Sequence, residues 1–431
     1  MNEEIKQRLG DHLKDVHGIL HIEGISAVEL ADAHGTPVYV TSESRIRANY
    51  RRFFSAFSRH GAFRLYYAAK ANTNLSILNI IRQEGGYIDC SCPAEMLAAS
   101  LSGFQREKML YTGNYNSTEE FLYALDAGIT INLDDASMVD RLPQDVPKSL
   151  CFRINPGVGK GGREGLVFAG DDAKFGSSEE TVAMGYSKAK ALGVEHFGIH
   201  MMTGSNVLDP EYFPQITERL MDIAGRIARK TGIDFDFVNV GGGFGVPYGP
   251  GETELPLEEV AKKVVSVFKA KTSEYGLKPP VLAAEPGRYI VADSTVLLAK
   301  VCHIKRAKKT FVGVDAGMNT LLRPALYGAY HPVVIANKMD DPDSTTVNIC
   351  GQVCENTDIL AKDRRIPAVQ EGDILAFLNA GAYGYAMSSQ YNNRPRAAEV
   401  LVSDGKAELI RRRETILDLF QGQTIPARLL P

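Results

Sequence analysis

Short apolar runs alternate with longer amphipathic stretches along the chain from about residue 36 to residue 290. Short β-branched or apolar runs indicate buried strands, whereas apolar positions repeated every three or four residues indicate helices. Strands that alternate with helices predict parallel β/α units, and eight such strands in about 250 residues predict a (β/α)₈ barrel. The candidate strands are Leu65–Ala69, Tyr87–Cys90, Met109–Thr112, Ile129–Asn132, Ser149–Ile154, His196–Met201, Phe235–Val240 and Val281–Glu285.

The pattern changes after residue 290, where short β-rich runs follow one another with turns and few helical stretches between them. Such runs predict a second, mainly antiparallel β domain. The segment before the first barrel strand must also pack on something, and we expect it to complete this second domain. The predicted division is therefore an amino-terminal segment (1–35), a barrel (36–290) and a carboxy-terminal β domain (291–431).

The charge balance argues against nucleic acid as a partner, because 48 Lys and Arg residues stand against 52 Asp and Glu residues and no long basic run occurs. No apolar stretch approaches the roughly 18 residues needed to cross a bilayer, and the amino terminus lacks a signal-peptide core. We therefore expect no membrane association and a cytoplasmic protein. Six cysteines are too few to cross-link 431 residues, and their spacing fits no zinc site. Free thiols and no structural metal are expected.

Candidate functional residues lie at the carboxyl ends of the predicted barrel strands. In barrel enzymes this end of the strands carries the active site, so the arrangement predicts an enzyme. The residues are Lys70, Asp89, Asn155, His200, Gly241–Gly243 and Glu285.

Lys70 ends an apolar run in the segment YYAAKAN. A lysine amine that loses hydration has a lowered pKa and attacks carbonyl groups. A lysine at a strand end can also extend its amine to water without any chemical role. The other residues at the same end of the barrel favour the chemical interpretation.

The segments VNVGGGFG and Glu285-Pro-Gly-Arg288 add candidate binding groups. Consecutive glycines let backbone N–H groups converge on a phosphate, although their spacing matches neither the dinucleotide motif nor the P-loop. A carboxylate can keep a ring nitrogen protonated, and a guanidinium can neutralise phosphate, while a surface turn is the alternative for Glu285–Arg288. Pyridoxal phosphate uses an imine-forming lysine, a phosphate site and a partner for its pyridine nitrogen. The sequence therefore predicts this cofactor.

Eight stretches match motifs of one enzyme family, and in chain order they are YYAAKAN, FRINPGV, AKFG, GGGFG, AAEPGRYIVA, VDAGMNTLLRPALYGAYHP, GQVCENTDILAKD and NAGAYGYAMSSQYNNRPRAAEVLV. Over nearly its whole length the sequence resembles the fold-type III pyridoxal-phosphate decarboxylases, most closely the diaminopimelate decarboxylase group. The resemblance implies an alanine racemase-like barrel with a β domain, amino-acid α-decarboxylase activity, pyridoxal 5'-phosphate as cofactor and a homodimer with shared active sites.

The resemblance also implies roles for individual residues around the cofactor. Lys70 would bond the cofactor covalently, and Glu285 would pair with its pyridine nitrogen. His200 would be a further contact, although a histidine satisfied at a strand end is the alternative. The groups that hold the phosphate or lie near it would be Ser205, Gly243, Arg288 and Tyr383. Gly242 and Gly287 would be further cofactor contacts.

Further residues are implied to act on the substrate. Cys354 and Glu355 would reach across the dimer interface into the partner's site, where Cys354 would return a proton to the substrate after CO₂ has left. Taken alone, Cys354 would more simply be an inert buried thiol. The implied substrate contacts are Arg288, Arg323, Tyr327, Glu355 and Tyr383.

Two departures from the diaminopimelate pattern bear on the substrate. The family's His-x-His-x-Gly-Ser stretch reads His200-Met-Met-Thr-Gly-Ser205, so Met202 stands where a histidine stacks on the cofactor ring. Residues 159–172 also differ, and Lys160 and Arg163 there could meet an acidic carrier, or simply belong to a solvated loop.

These departures favour a branch that decarboxylates an elaborated amino acid. The expected substrate is glutamate on an acyl-carrier protein, as in butirosin antibiotic biosynthesis, or a siderophore conjugate. The alternative is meso-diaminopimelate, converted to L-lysine, and Arg323 fits a distal carboxylate in either case. A non-catalytic pyridoxal-phosphate carrier and an amino-acid racemase are further alternatives.

Overall fold

The computed structural model describes residues 9–157, 159–160, 169–170 and 173–430. The chain forms two compact units. The β unit contains Arg45 and the described residues before it, residues 248–250, and Asp293 with the described residues after it. The barrel unit contains residues 46–247 and 251–292, as far as they are described. In the part of the chain that the structure describes, none of the helices is both long enough and apolar enough to cross a membrane.

Four strands and one helix of the β unit precede the barrel in the chain. They are β1 (Leu13–Val16), β2 (Ile19–Ile22), β3 (Ile25–Ser26), α1 (Ala27–His34) and β4 (Val38–Ser42). Strands β1, β2 and β3 form an antiparallel sheet in sequence order. Ser26 caps α1, because its hydroxyl accepts a hydrogen bond from the N–H of Val28.

Helix α2 (Glu43–Ser58) leads into eight strands of the barrel unit. They are β5 (Phe63–Ala68), β6 (Tyr87–Cys90), β7 (Met109–Tyr111), β8 (Thr130–Leu133), β9 (Ser149–Ile154), β10 (His196–Met201), β11 (Phe237–Asn239) and β12 (Val281–Ala284). They close into a barrel in the order β10-β11-β12-β5-β6-β7-β8-β9, and all neighbours are parallel. Each predicted strand overlaps one of these, and the predicted barrel is confirmed.

Helices connect most of the barrel strands. They are α3 (Leu75–Gln83), α4 (Pro93–Leu101), α5 (Thr118–Asp126), α6 (Glu179–Ala191), α7 (Tyr212–Thr231), α8 (Leu257–Tyr275) and the short α9 (Arg288–Val291). Local chemistry sets several of their ends. Ser117 and Glu120 form a capping box at the start of α5. Gly232 ends α7 with a φ of 63°, a left-handed conformation that glycine adopts without strain.

The remaining strands of the β unit follow the barrel. They are β13 (Thr295–Arg306), β14 (Thr310–Val314), β15 (Val333–Ile335), β16 (Thr345–Cys350), β17 (Ile359–Ile366), β18 (Ile374–Phe377), β19 (Ala398–Ser403) and β20 (Lys406–Arg411), with helix α10 (Arg323–Tyr327) after β14. The sheet runs β17-β16-β14-β13-β4-β19-β20, and β18 pairs with β13 and β15. Two of its pairings, β14 with β16 and β19 with β4, are parallel. The rest are antiparallel, so the predicted mainly antiparallel domain is confirmed.

The structure differs from the predicted barrel start at residue 36. Strand β4 pairs with β13 and β19, so it is a central strand of the β unit, and the barrel unit begins only at Ile46. Val38 and Val40 face one apolar core of this unit with Val296, whereas Tyr39 faces the other. A strand buried on both faces has no polar alternation that reveals its sheet, so only long-range pairing decides its membership.

Candidate active site

Lys70 and Asp89 lie together at the carboxyl ends of adjacent strands. Lys70 is in a short 3₁₀ turn directly after β5, and Asp89 lies in β6, where it is paired in register with Ala68. The Lys70 Nζ donates a hydrogen bond to the Asp89 Oδ2 at 3.2 Å. The Lys70 side chain is 41% exposed, whereas the Asp89 side chain is fully buried. The amine is therefore held in place by the carboxylate and can still be reached by a ligand.

The Asp89 carboxyl group has an unusual environment. Burial raises its pKa to about 6, and the negative charge of Glu285 acts in the same direction, while the charge of Lys70 opposes both. Its Oδ1 is buried without a hydrogen-bond partner in the described structure. The pKa of the Asp89 carboxyl therefore depends on the charges next to it, including the positive charge of Lys70.

Glu285 is held by two residues from neighbouring strands. The His200 Nε2 lies 3.1 Å from one carboxylate oxygen, and the Asn239 side-chain amide donates to the other at 2.7 Å. His200 and Asn239 are paired in register in β10 and β11, and Glu285 directly follows β12. Burial by itself raises the pKa of the Glu285 carboxyl, but the charge and hydrogen bond of His200, together with Lys70 and Asn239, bring it below the usual value. Glu285 is therefore an ionised carboxylate near neutral pH.

The glycines after β11 bring two loops into close contact. A Cβ at Gly241 would lie 2.2 Å from the carbonyl oxygen of Met201, and one at Gly243 would lie 2.7 Å from that of Gly204. Both glycines also have positive φ, at 73° and 94°. A Cβ at Gly242 would lie 2.5 Å from the carbonyl oxygen of Glu285. Only glycine fits at these positions. The backbone N–H of Gly241 donates a hydrogen bond to the Asn239 Oδ1 at 2.9 Å.

Ser205 and Arg288 form a candidate anion site. The Arg288 Nη2 donates a hydrogen bond to the Ser205 Oγ at 3.1 Å, and both residues are buried. Gly287, just before α9, packs so closely that a Cβ there would lie 3.0 Å from the Cβ of Ala71. The turn that carries Lys70 and the start of α9 are therefore in direct contact. The predicted residues of the barrel unit are thus brought together at one end of the barrel.

These groups fit pyridoxal phosphate. A reachable amine, an ionised buried carboxylate, and a hydroxyl and guanidinium beside a glycine loop match its aldehyde, pyridine nitrogen and phosphate. Buried polar atoms without partners indicate a group that completes their bonding, and the His200 Nδ1 and the Asp89 Oδ1 are such atoms among the described residues. The fold and site therefore define a pyridoxal-phosphate enzyme built on a (β/α)₈ barrel.

Comparisons with known proteins identify the family. Residues 43–292 match the family model of the pyridoxal-dependent decarboxylase, pyridoxal binding domain. The chain is 49% identical over 416 residues to the diaminopimelate decarboxylase of Methanothermobacter thermautotrophicus, covering 96% of this chain and 97% of the relative. It is 39% identical over 419 residues to that of Archaeoglobus fulgidus, with 96% and 99% covered. The solved diaminopimelate decarboxylase of M. jannaschii has a TM-score of 0.88 at 33% identity, over 97% of this chain and 99% of that one.

This chain therefore belongs to the pyridoxal-dependent decarboxylases, in the diaminopimelate decarboxylase family. It is a carboxy-lyase with pyridoxal phosphate as its cofactor.

The predicted carrier-linked substrate is wrong. Relatives at 39% and 49% identity over nearly the whole chain are diaminopimelate decarboxylases, so the local departures around Met202 do not mark another branch. The Met202 Sδ accepts a hydrogen bond from the backbone N–H of Gly242 at 3.2 Å, which makes it part of the glycine loop packing. Lys160 forms an ion pair with Asp209 at 2.8 Å and is not a free positive charge, and Arg163 lies outside the described residues.

Asn155 has a structural role. Its side-chain amide donates to the carbonyl oxygen of Gly170, and its Oδ1 accepts from the N–H groups of Gly157 and Gly170, all at 3.0 Å. It therefore joins the two ends of the loop that departs from the family pattern. Residues 158, 161–168 and 171–172 lie outside the described residues.

The other predicted site residues lie in the β unit. Arg323 and Tyr327 are the first and last residues of α10, and Arg323 is buried. Cys354 and Glu355 are exposed, in the loop between β16 and β17. Asp358 holds this loop, because its carboxylate accepts hydrogen bonds from the N–H groups of Val353 and Met318 at 2.7 and 2.6 Å. Tyr383 is half-buried and has a positive φ of 57°.

Three residues that contact the predicted site residues Glu285 and Arg323 were not singled out from the sequence. Asn239 binds Glu285, while His331 and Tyr248 contact Arg323. Asn239 and His331 are polar residues within apolar segments, and such residues need a buried partner. That signal could have marked them as members of a buried polar network, although not which residue each one contacts.

Proposed function

We propose that this decarboxylase converts meso-diaminopimelate to L-lysine. The observation that carries the proposal is 49% identity over 96% of the chain to an enzyme named for this reaction. A second line of support is the M. jannaschii enzyme in complex with L-lysine, which matches with a TM-score of 0.88 at 32% identity. Diaminopimelate carries an amino-acid group at each end, so a carboxylate remains at the far end when one end reacts. The buried Arg323 is a suitable partner for that carboxylate.

Different residues of the barrel unit would bind the cofactor and control the protonation of its ring. Bound pyridoxal phosphate supplies an electron sink for the charge left on Cα when CO₂ leaves. Lys70 is the residue that bonds it covalently, and Glu285, ionised and fixed by His200 and Asn239, keeps a proton on the pyridine nitrogen. Ser205, Arg288 and Gly243 of the glycine loop would bind the phosphate.

The direct test is product analysis with the purified enzyme loaded with pyridoxal phosphate. We expect stoichiometric CO₂ and L-lysine from meso-diaminopimelate, and slower reaction with L-lysine or L-ornithine, which carry no carboxylate at the far end. If no lysine forms from diaminopimelate although the cofactor is bound, the proposed substrate is incorrect.

For the final proton transfer we propose a homodimer in which Cys354 acts in the partner's site beside Glu355. The proposal is supported by the exposure of both side chains and by the rigid hold of Asp358 on their loop. A thiol near Cα can return the proton that replaces CO₂.

Replacing Cys354 with Ala is expected to lower the rate of lysine formation by about 10²–10⁴-fold, the usual contribution of a positioned acid, while the cofactor stays bound. Initial rates and the cofactor's absorbance measure the two effects. Cys302→Ala removes another exposed thiol of the β unit and should leave the rate unchanged.

Sharing of sites is tested by coexpressing Lys70→Ala and Cys354→Ala chains with different affinity tags. Mixed dimers isolated through both tags should regain activity that neither variant has alone, because one of their two sites is intact. Mixed dimers that form but stay inactive would contradict shared sites, and a purely monomeric protein would contradict the dimer.

A further inference from the structure

Arg323 belongs to a buried polar cluster in the β unit. Its Nη1 lies 2.9 Å from the Nε2 of His331, and its guanidinium carbon lies 4.4 Å from the ring centroid of Tyr248. The rings of Tyr248 and His331 are 5.4 Å apart and nearly perpendicular, with an interplanar angle of 79°. All three side chains are buried, and His331 is fully so.

The hydrogen bonds of His331 define its protonation state. Its Nδ1 lies 2.9 Å from the backbone carbonyl oxygen of Leu378, which can only accept, so this nitrogen must carry a proton. Its Nε2 faces a guanidinium N–H, which can only donate, so this nitrogen must be unprotonated. His331 is therefore a neutral imidazole with its proton on Nδ1, and it accepts a hydrogen bond from Arg323.

The anchor behind His331 is a rigid part of the sheet. Leu378 directly follows β18, which pairs with both β13 and β15. The N–H of Leu378 also donates to the carbonyl oxygen of Pro332 at 2.9 Å, so the backbone on both sides of the His331 contact is tied to this strand. The orientation of the imidazole is consequently set by the backbone of the sheet.

The cluster constrains a side chain that is otherwise flexible. An arginine side chain has many rotamers, and holding it in one of them before a ligand arrives removes an entropy cost from binding. His331 fixes one edge of the Arg323 guanidinium, and the Tyr248 ring covers its face. A planar guanidinium in a fixed orientation selects carboxylates at one position.

We propose that neutral His331 is a positioning residue that holds Arg323 for the distal carboxylate of the substrate, and so sets the preference for amino acids with a carboxylate at the far end. The assignment rests on the proposed function, because it takes diaminopimelate as the substrate. It goes further by identifying the acceptor, the tautomer and the strand through which Arg323 is oriented.

Steady-state kinetics of the holoenzyme test this role. His331→Leu removes the acceptor and is expected to raise the KM for meso-diaminopimelate by about 10- to 100-fold, the loss expected for a hydrogen bond to a charged group, with a much smaller change in kcat. His331→Gln offers an amide oxygen to Arg323 and should recover part of the loss. In an Arg323→Ala background, His331→Leu should add little, because the group it positions is gone.

A matched control separates positioning from general destabilisation. His12 is a second buried histidine of the β unit, and its Nε2 is 2.9 Å from the carbonyl oxygen of Asp293. His12→Leu removes a comparable buried imidazole and should leave the KM unchanged. An unchanged KM in His331→Leu, a loss confined to kcat, or additive effects with Arg323→Ala would each overturn the proposal.

The tautomer provides a readout that does not depend on turnover. In protein labelled with ¹⁵N at the nine histidines, the signals missing from His331→Leu identify His331. We expect the ¹⁵N signals of His331 to show a protonated Nδ1 and an unprotonated Nε2 at neutral pH. A doubly protonated ring, or a proton on Nε2, would refute the arrangement. If the wild-type enzyme does not act on diaminopimelate, the proposed function fails, whereas the NMR result still decides the state of His331.

Discussion

Replacing Lys70 with Ala is expected to lower turnover by roughly 10⁴-fold or more, since the amine that we propose for the covalent attachment of the cofactor is lost. The fold should persist, because the Lys70 side chain is 41% exposed and does not fill the core. The main structural consequence is that Asp89, fully buried, loses the amine 3.2 Å from its carboxylate. Without that positive charge, the pKa of the Asp89 carboxyl should rise further.

Three measurements check the Lys70 result. Initial rates give the loss of turnover, the cofactor's absorbance reports whether it is bound as an imine, and borohydride reduction followed by peptide mapping locates the bond. Lys70→Arg is the matched control, because it keeps a positive charge beside Asp89 but cannot form the imine. We expect it to be as inactive as Lys70→Ala. Borohydride labelling at another lysine of the wild-type enzyme would show that the assignment is incorrect.

Replacing Glu285 with Gln is expected to lower kcat by about 10²–10³-fold, the size of effect seen when one preorganised charge partner of a reacting group is removed. A neutral amide cannot hold the pyridine nitrogen protonated, so the cofactor would draw less charge from Cα. The hydrogen bond from Asn239 can persist to the amide oxygen, so the variant should fold and bind the cofactor.

Rates and cofactor affinity measured side by side distinguish this effect from loss of the cofactor. Glu399→Gln is the control, because Glu399 is a buried carboxylate of the β unit that is paired with Arg411 and has no proposed role at the cofactor. Its kcat should stay within a few-fold of wild type. A Glu285→Gln enzyme with normal kcat would contradict the pyridine role.

The pH dependence of the Glu285 contribution has a definite sign. His200 and Lys70 lower the pKa of this carboxyl below the ordinary pKa of a glutamate. The carboxylate is therefore fully ionised at any pH above that ordinary pKa, and it takes up a proton only at a lower pH. We therefore expect kcat to show no ionisation of Glu285 near neutral pH. An acid limb near neutrality that disappears in Glu285→Gln would show that the carboxyl is protonated there.

Much of the barrel could be predicted, because its signals are local. The run Ser149–Ile154 is apolar apart from Ser149 and Arg153, and it forms β9 at the predicted bounds. Lys70 directly follows a predicted strand and Glu285 is the last residue of another, which also placed both at one end of the barrel. Parallel strands in a closed barrel present all their carboxyl ends on one side, so the strand assignment alone brings these residues near one another.

The errors arose where a local pattern was given a long-range meaning. The Val38–Ser42 run is a strand, as its residues suggest, but its partners are about 250 and 360 residues further on, in β13 and β19. Met202 and Lys160 suggested a different substrate, yet one contacts the glycine loop and the other is paired with Asp209. A departure at single positions says little about the substrate when its partners in space are unknown.

By itself the sequence determined the alternation of strands and helices, the end of the barrel that bears the chemistry and the cofactor that this chemistry suits. These features depend on residue type and spacing over short distances, where backbone geometry leaves few alternatives. Only the tertiary structure decided that β4 belongs to the β unit, that His200 and Asn239 contact Glu285, and that His331 contacts Arg323. Those contacts join residues that are distant in the chain. Their hydrogen bonds and burial depend on the three-dimensional positions of both partners, which the local sequence pattern does not specify.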